Sequence, residues 1–241
     1  MRIRRAGIIA AGLGSRLAHI HPGLPKPMIP VSGKPLLYWI AACLRNAGFE
    51  SVTILLNSNG DDARAYAQKH IKDLSWSFLR ADTDSSFDSF RLVAEALAQS
   101  PEPFCISTVD ALIPPAETAR FAENALRAFD NQKKPDAALA LTRFVEDEKP
   151  LWADTDDNGQ ISALGERARR KDAVTCGLYA LSRETALELP PQGTFARLRD
   201  FWSDIISRGK RVRGVLLADT VDVDRPEDIP AAEKVISCFD V

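Results

Sequence analysis

The chain has 241 residues, 45% hydrophobic and 27% charged, with a formal net charge of −2. That balance argues for one elaborated globular domain over residues 1–241 and against a fibre, a disordered chain, or a general attraction to nucleic acid or anionic membrane. The four cysteines (Cys43, Cys105, Cys176 and Cys238) are far apart without paired metal-ligand spacing and read as buried free thiols. The amino terminus reads as neither a complete signal peptide nor a membrane span, so the expected location is cytoplasmic, with no membrane and no nucleic-acid partner.

In chain order, residues 3–11 read as a short apolar strand. A glycine- and proline-rich loop follows, and then a helix over 35–48 with Leu36, Leu37, Ile40, Ala41 and Leu44 on one stripe. Strands at 52–56, 75–79 and 104–108 alternate with helices at 61–71, 87–98 and 116–129, and Phe87, Phe90 and Leu97 face the core. This alternation predicts an α/β chain with a parallel sheet, whose ligands sit beyond the carboxyl ends of the strands, where Gly12 and Asp110 fall.

From residue 137 the pattern changes. Residues 137–144 and 174–181 read as strands flanking a polar segment with a turn at Asp156-Asp157-Asn158-Gly159. A helix over 195–208 carries Phe195, Leu198, Trp202, Ile205 and Ile206 near one face. A strand at 212–217 and a final helix opening at Pro226-Glu227 complete the chain.

The chemistry concentrates in the first loop. Gly12 and Gly14 let backbone amides approach phosphate closely, while Arg16 and Lys26 supply positive charge, so the loop reads as a triphosphate holder. It lacks the Gly-x-x-x-x-Gly-Lys-Ser/Thr of a P-loop and the third glycine of a dinucleotide fingerprint. His19 and His21 read as incidental loop residues and Lys34 as a surface charge. The runs Ala10-Ala11-Gly12-Leu13-Gly14-Ser15-Arg16-Leu17, Leu24-Pro25-Lys26-Pro27-Met28-Ile29-Pro30-Val31 and Gly33-Lys34-Pro35-Leu36-Leu37 together resemble the amino-terminal signature of sugar-phosphate nucleotidyltransferases, the NDP-sugar pyrophosphorylase-like family of NTP transferases.

That resemblance implies a Rossmann-like nucleotidyltransferase fold with a central mixed, mostly parallel sheet flanked by helices. Residues 1–135 would form the nucleotide-binding half, 136–220 an acceptor-binding elaboration, and 221–241 a late acidic segment with a C-terminal helix. Ala11, Gly12, Gly14 and Ser15 would wrap the NTP, and Arg16 and Lys26 would contact its phosphates and assist catalysis. Asp110, at a strand end, stands where the family binds magnesium, although Val109 replaces the customary glycine before it. The segment Val221-Asp222-Val223-Asp224-Arg225-Pro226-Glu227-Asp228 resembles the family's late metal-binding stretch and leaves the second Mg2+ ligand open between Asp222 and Asp224. In an extended backbone both would share a face. Glu227 and Asp228 read as first-turn residues stabilised by the helix amino terminus.

By the same resemblance, Glu166 would receive sugar hydroxyls, Arg167 the sugar phosphate, and Gly177 would belong to the sugar-binding strand. Tyr179 reads as core, the basic run 167–171 as a solvated loop, and residues 82–86 lie near the family's base-selection region without identifying the NTP. The implied reaction joins an NTP and a sugar 1-phosphate into an NDP-sugar and pyrophosphate. The alternatives are a cytidylyltransferase for phosphocholine, inositol phosphate or another phosphorylated alcohol, and an inactive nucleotide-sensing regulatory protein. The apolar helices allow a homodimer.

Overall fold

The computed structural model describes residues 2–12, 14, 16–17, 20–130, 135–143 and 150–239. The first half runs β1 (Arg5–Ala10), a short hairpin of β2 (Pro30–Val31) and β3 (Lys34–Pro35), α1 (Leu36–Asn46), β4 (Ser51–Leu56), α2 (Asp61–His70), β5 (Ser75–Arg80), α3 (Ser86–Leu97), β6 (Phe104–Thr108), β7 (Ala111–Leu112) and α4 (Pro115–Phe129). The second half runs β8 (Ala137–Thr142), β9 (Trp152–Thr155), β10 (Ile161–Leu164), β11 (Ala173–Leu181), α5 (Arg183–Leu187), α6 (Leu198–Ser207), β12 (Val212–Leu217), β13 (Val221–Asp222) and α7 (Asp228–Ile236).

Among the described residues, nine strands form one mixed sheet. β1 lies between β4 and β6, parallel to both, and β5 extends the parallel part beyond β4. β11 joins antiparallel to β6 and to β8, and β12 closes the second half parallel to β8. The strands of the second half therefore continue the sheet of the first, which is the mixed α/β architecture expected of a Rossmann-like nucleotidyltransferase.

Alternation along each strand divides the core between the two faces of the sheet. Ala6, Ile8, Ile54 and Leu178 pack with Leu37, Ile40 and Phe121 of α1 and α4 on one face. Leu55, Phe104, Ile106 and Tyr179 pack on the other with Phe87 and Phe90 of α3 and Phe201 and Trp202 of α6. The aromatic cluster there is specific in geometry: Tyr179 stacks on Trp202 at 5.5 Å, and Phe90 meets Trp202 edge-on at 5.5 Å. Both faces being covered explains why consecutive residues of the central strands are buried, Ile54 to Leu56 and Phe104 to Ile106 among them. Among the described residues no helix is long and apolar enough to cross a membrane.

The structure departs from the sequence reading at several boundaries. The segment around Asp156–Gly159 is a complete hairpin, because the four-residue strands β9 and β10 pair across it. The helix expected over 195–208 begins at Leu198, since Arg197 is extended, and Phe195 instead packs edge-on against Phe87 at 5.2 Å. The last helix opens at Asp228, and Pro226 and Glu227 belong to the turn before it. The strand expected over 137–144 ends at Thr142, and Phe144 lies outside the described residues. The two-residue partners β7 and β13 carried no periodic signal in the sequence, yet they bring the two acidic segments together.

Candidate functional site

Lys26 begins a single 3-10 turn, Lys26–Met28, between Pro25 and Pro27. The two prolines limit backbone freedom on either side of the lysine. Gly14 lies flat on its stem: Gly14 has φ of +60°, and a Cβ there would stand 2.9 Å from Lys26 Cβ. Conformation and close approach both call for glycine at that position. The Lys26 ammonium donates to Asp110 Oδ2 at 2.5 Å and to Asp224 Oδ1. Arg16 Nη1 donates to Asp224 Oδ2 at 3.3 Å.

The topology explains how residues so distant in sequence meet. Val109, whose side chain is buried, extends the pairing of β6 with β1 through its N–H to Ile9 O at 3.1 Å, delivering Asp110 just past the strand end. β13 pairs antiparallel with β7, Val221 opposite Leu112 and Asp222 opposite Ala111. Continuing that register, Val223 N–H donates to Asp110 O at 2.9 Å, which carries Asp224 over the site.

Two cations and two carboxylates thus form a chain without net charge. The Lys26 side chain is only 10% exposed, and burial alone would lower its pKa; Asp110 and Asp224 outweigh burial and hold it above the ordinary lysine value. For Asp110, burial opposes ionisation, but the Lys26 charge and hydrogen bond, with the Thr108 side chain, hold the carboxyl below its usual range. Arg16 is largely exposed, so its pairing with Asp224 contributes little to stability.

Asp222 is exposed on β13. With burial first, its charge helps push up the Cys176 thiol and the Tyr179 phenol, which places it in the field of β11, whereas Asp224 is the late acid that shares Lys26 with Asp110. Among the described residues no group of three or more His, Cys, Asp and Glu could enclose a metal ion. Asp110 and Asp224 nevertheless suit a magnesium that takes its remaining ligands from phosphates and water, the usual pattern for that ion.

The remaining expected residues separate into distinct environments. Ala11 is buried at the end of β1, and its carbonyl accepts the Asn57 amide at 3.1 Å. Among the described residues, a Cβ on Gly12 would meet nothing within 4 Å, and Gly12 is exposed. Ser15 and His19 lie outside the described residues. Lys34 lies 4.8 Å from the Tyr38 ring at the surface. Cys43, Cys105 and Cys176 are buried as expected, but Cys238 is exposed after α7.

Glu166 and Arg167 occupy an exposed 3-10 turn and line a cavity of about 810 Å³ with Trp152, Lys171, Arg199 and Ser203. None of Arg16, Lys26, Asp110 and Asp224 lines that cavity. Gly177 sits at the irregularity of the β11–β8 pairing with φ of +66°. A Cβ there would come within 2.5 Å of Thr108 Oγ1 and 2.7 Å of Ala111 Cβ. Gly177 thus lets β11 press against the segments flanking Asp110.

Three residues that shape the site gave no functional signal in the sequence. Asn57 ties the glycine-rich loop to the end of β4: besides reaching Ala11 O, its Oδ1 accepts the Asn59 N–H at 3.0 Å. Buried Asp154 accepts the N–H groups of Arg169, Arg170 and Lys171 at 2.8, 3.1 and 2.7 Å, fixing the basic loop after Arg167. Asp228, expected to serve only its own helix, reaches back toward Asp224. The Asp156-to-Gly159 turn offered a landmark near Asp154, but a lone acid in a short strand offers none.

The family model for the MobA-like NTP transferase domain matches residues 6–180. A UTP–glucose-1-phosphate uridylyltransferase of Synechocystis sp. is 25% identical over 223 residues, covering 85% of this chain and 56% of that protein. A glucose-1-phosphate thymidylyltransferase of Streptomyces griseus is 24% identical over 221 residues, covering 89% of this chain and 60% of that protein. The chain therefore spans 56% and 60% of the length of these two curated relatives. The solved structure of an inositol-1-phosphate CTP transferase from T. maritima shares the fold, with a TM-score of 0.78 at 18% identity, covering 100% of this chain and 99% of that one.

Proposed function

The chain belongs to the family of MobA-like NTP transferase domains, and on that premise we propose that it is a magnesium-dependent nucleotidyltransferase joining an NTP to a sugar 1-phosphate. The single observation that carries this reading is the convergence of Lys26, Asp110, Asp224 and Arg16, with Gly14 of the glycine-rich loop against the Lys26 stem. Relatives named as a UTP–glucose-1-phosphate uridylyltransferase and a glucose-1-phosphate thymidylyltransferase support the choice of acceptor.

The reaction places an anionic oxygen of the acceptor phosphate on the α-phosphorus of the NTP. The new P–O bond forms as the bond to the β-phosphate oxygen breaks, and pyrophosphate leaves with the electron pair. No general base is needed, because the attacking phosphate is already ionised. Exposed Gly12 offers its backbone to the triphosphate, and Lys26 and Arg16 neutralise charge that develops on the phosphoryl oxygens. Asp110 and Asp224 would hold Mg2+, which when bound neutralises and orients the phosphates. By resemblance we assign Arg167 to the acceptor's phosphate and Glu166 to its hydroxyls. Gly177 serves by packing beside Asp110.

The test crosses the common NTPs with sugar 1-phosphates, phosphocholine and inositol phosphate, with magnesium or with EDTA, and detects both pyrophosphate and the conjugate. Transfer should require magnesium and fall by about 100-fold or more in folded Lys26→Ala and Asp110→Ala proteins. Product from phosphocholine or inositol phosphate alone would move the acceptor to a phosphorylated alcohol. Nucleotide binding with no transfer to any acceptor would overturn the enzymatic reading in favour of a nucleotide sensor.

A further inference from the structure

Asp228 opens α7, yet its carboxylate does not serve that helix alone. Its Oδ2 accepts the backbone N–H of Asp224 at 2.8 Å and of Arg225 at 2.7 Å, two residues that precede the helix. Its own N–H donates to Arg225 O at 3.1 Å, closing the turn reciprocally. Asp228 is 8% exposed, so both charge-assisted bonds are shielded from competing water. Glu227, which precedes it at the helix boundary, makes no side-chain cap.

The peptide that carries Asp224 is thereby held from two directions. On the preceding side, Val223 N–H is fastened to Asp110 O at 2.9 Å. At Asp224 itself, the N–H is fastened to Asp228. Between these anchors, the Asp224 carboxylate directs one oxygen to Lys26 and the other to Arg16. The bond to Arg225 N–H, answered by Asp228 N–H to Arg225 O, is how an acid caps the turn that leads into a helix; the bond to Asp224 N–H lies one residue beyond that cap. Through it Asp228 fixes the backbone beneath an acid of the site.

We propose that Asp228 is a positioning residue, setting the Asp224 carboxylate at the distance from Asp110 at which the pair can share a magnesium ion with the nucleotide. The inference rests on the reading of Asp110 and Asp224 as the metal-holding acids. Its physical basis is general: groups that hold a metal ligand in place matter nearly as much as the ligand itself.

The experiment titrates magnesium, by calorimetry, into protein holding α,β-methylene analogues of the common NTPs, which bind without turnover. Asp228→Ala should raise the magnesium Kd by about 10–100-fold, the usual loss when such a supporting group is removed. Asp228→Asn keeps an acceptor oxygen and should recover most of that affinity, while Glu227→Ala should match the wild type. Should alanine prevent folding, Asp228→Ser carries the test, its shorter hydroxyl reaching at most one of the two N–H groups; weakened magnesium binding there supports the inference and wild-type binding overturns it. A folded Asp228→Ala protein with a lowered Tm but wild-type magnesium affinity, alongside an Asp224→Asn protein that loses it, overturns the inference alone. Wild-type affinity in Asp224→Asn, or no nucleotide-dependent magnesium binding in the wild type, overturns the reading of the site and this inference with it.

Discussion

Lys26→Met removes the ammonium shared by Asp110 and Asp224 while keeping the aliphatic stem on which Gly14 rests. Cutting one partner from a fully buried ion pair costs about 3–5 kcal/mol. The Asp110 and Asp224 side chains are 23% and 39% exposed, so water can take up part of the lost interaction. The expected cost is therefore about 1–3 kcal/mol, or about 3–10 °C in Tm for a chain of this size. The pH dependence is diagnostic. In the wild type, Asp110 is held below the ordinary carboxylate range, so its contribution is present above the unfolded pKa and is lost only as pH falls through the lower folded value. In Lys26→Met the two carboxylates lose the cation between them, and only the largely exposed Arg16 remains on Asp224, which raises at least one pKa above the unfolded value. The mutant should consequently gain stability between about pH 7.5 and pH 5, where the wild type does not. Millimolar magnesium should restore stability to the mutant more than to the wild type by replacing the missing charge. Urea melts across that pH range, with and without magnesium, measure all three effects. A mutant with wild-type stability and a wild-type pH slope would refute the argument that Lys26 neutralises the acid pair.

Other substitutions separate protein geometry from ligand geometry. Gly12→Ala should leave the melting curve within about 0.5 kcal/mol of wild type but weaken nucleotide binding, because its new methyl group is exposed and meets nothing within 4 Å among the described residues. Gly14→Ala should cost at least about 1–2 kcal/mol, since its φ is +60° and the methyl group meets Lys26; thermal melts and nucleotide titrations distinguish the two. For Asp154, burial favours the neutral acid, but the three backbone N–H groups outweigh it and hold the carboxyl below its ordinary range. Asp154→Ala should therefore cost about 1–3 kcal/mol near neutral pH, a difference that shrinks as acid protonates the wild-type carboxylate through its lowered pKa, as followed by urea melts. A thiol reagent should modify one of the four cysteines quickly in the native protein, Cys238, and reach Cys43, Cys105 and Cys176 only on unfolding.

What the sequence revealed follows from the range of the interactions involved. Helix α1 was legible because it buries a stripe at helical spacing, and strands β1, β4 and β6 because each is a short, largely apolar run between turns and helices. The Lys26 loop was legible because its glycine and proline pattern is continuous in the chain. The choice between Asp222 and Asp224 was not, because residues two apart share a face in any extended segment. Only the β7–β13 register decides which of them passes Asp110, and that register depends on a contact between residues about a hundred positions apart. Asp228 was hidden for the opposite reason: an acid in a first helical turn already has a local explanation, so nothing in the sequence pointed to its hold on Asp224. Glu166 and Arg167 were singled out by resemblance, and the fold gives them a cavity that Lys26 does not line.

The arrangement of charge also bears on how the proposed substrates enter. Placing Lys26 and Arg16 together for phosphates, or Asp110 and Asp224 together for a cation, would set like charges against each other if either pair stood alone. Interleaving them lets each charge neutralise its neighbours, so the site is held together without a ligand. Binding is then an exchange of partners. A free triphosphate that drew off Lys26 would leave Asp110 and Asp224 facing each other, while a free divalent cation on those acids would press against a buried ammonium. A magnesium–triphosphate complex meets neither cost, because the same arrival supplies an anion for Lys26 and Arg16 and a cation for Asp110 and Asp224. On the proposed reading, the interleaved charges favour the metal-bound nucleotide over either component, and they do so through side chains brought together by the ends of β1, β6 and β13.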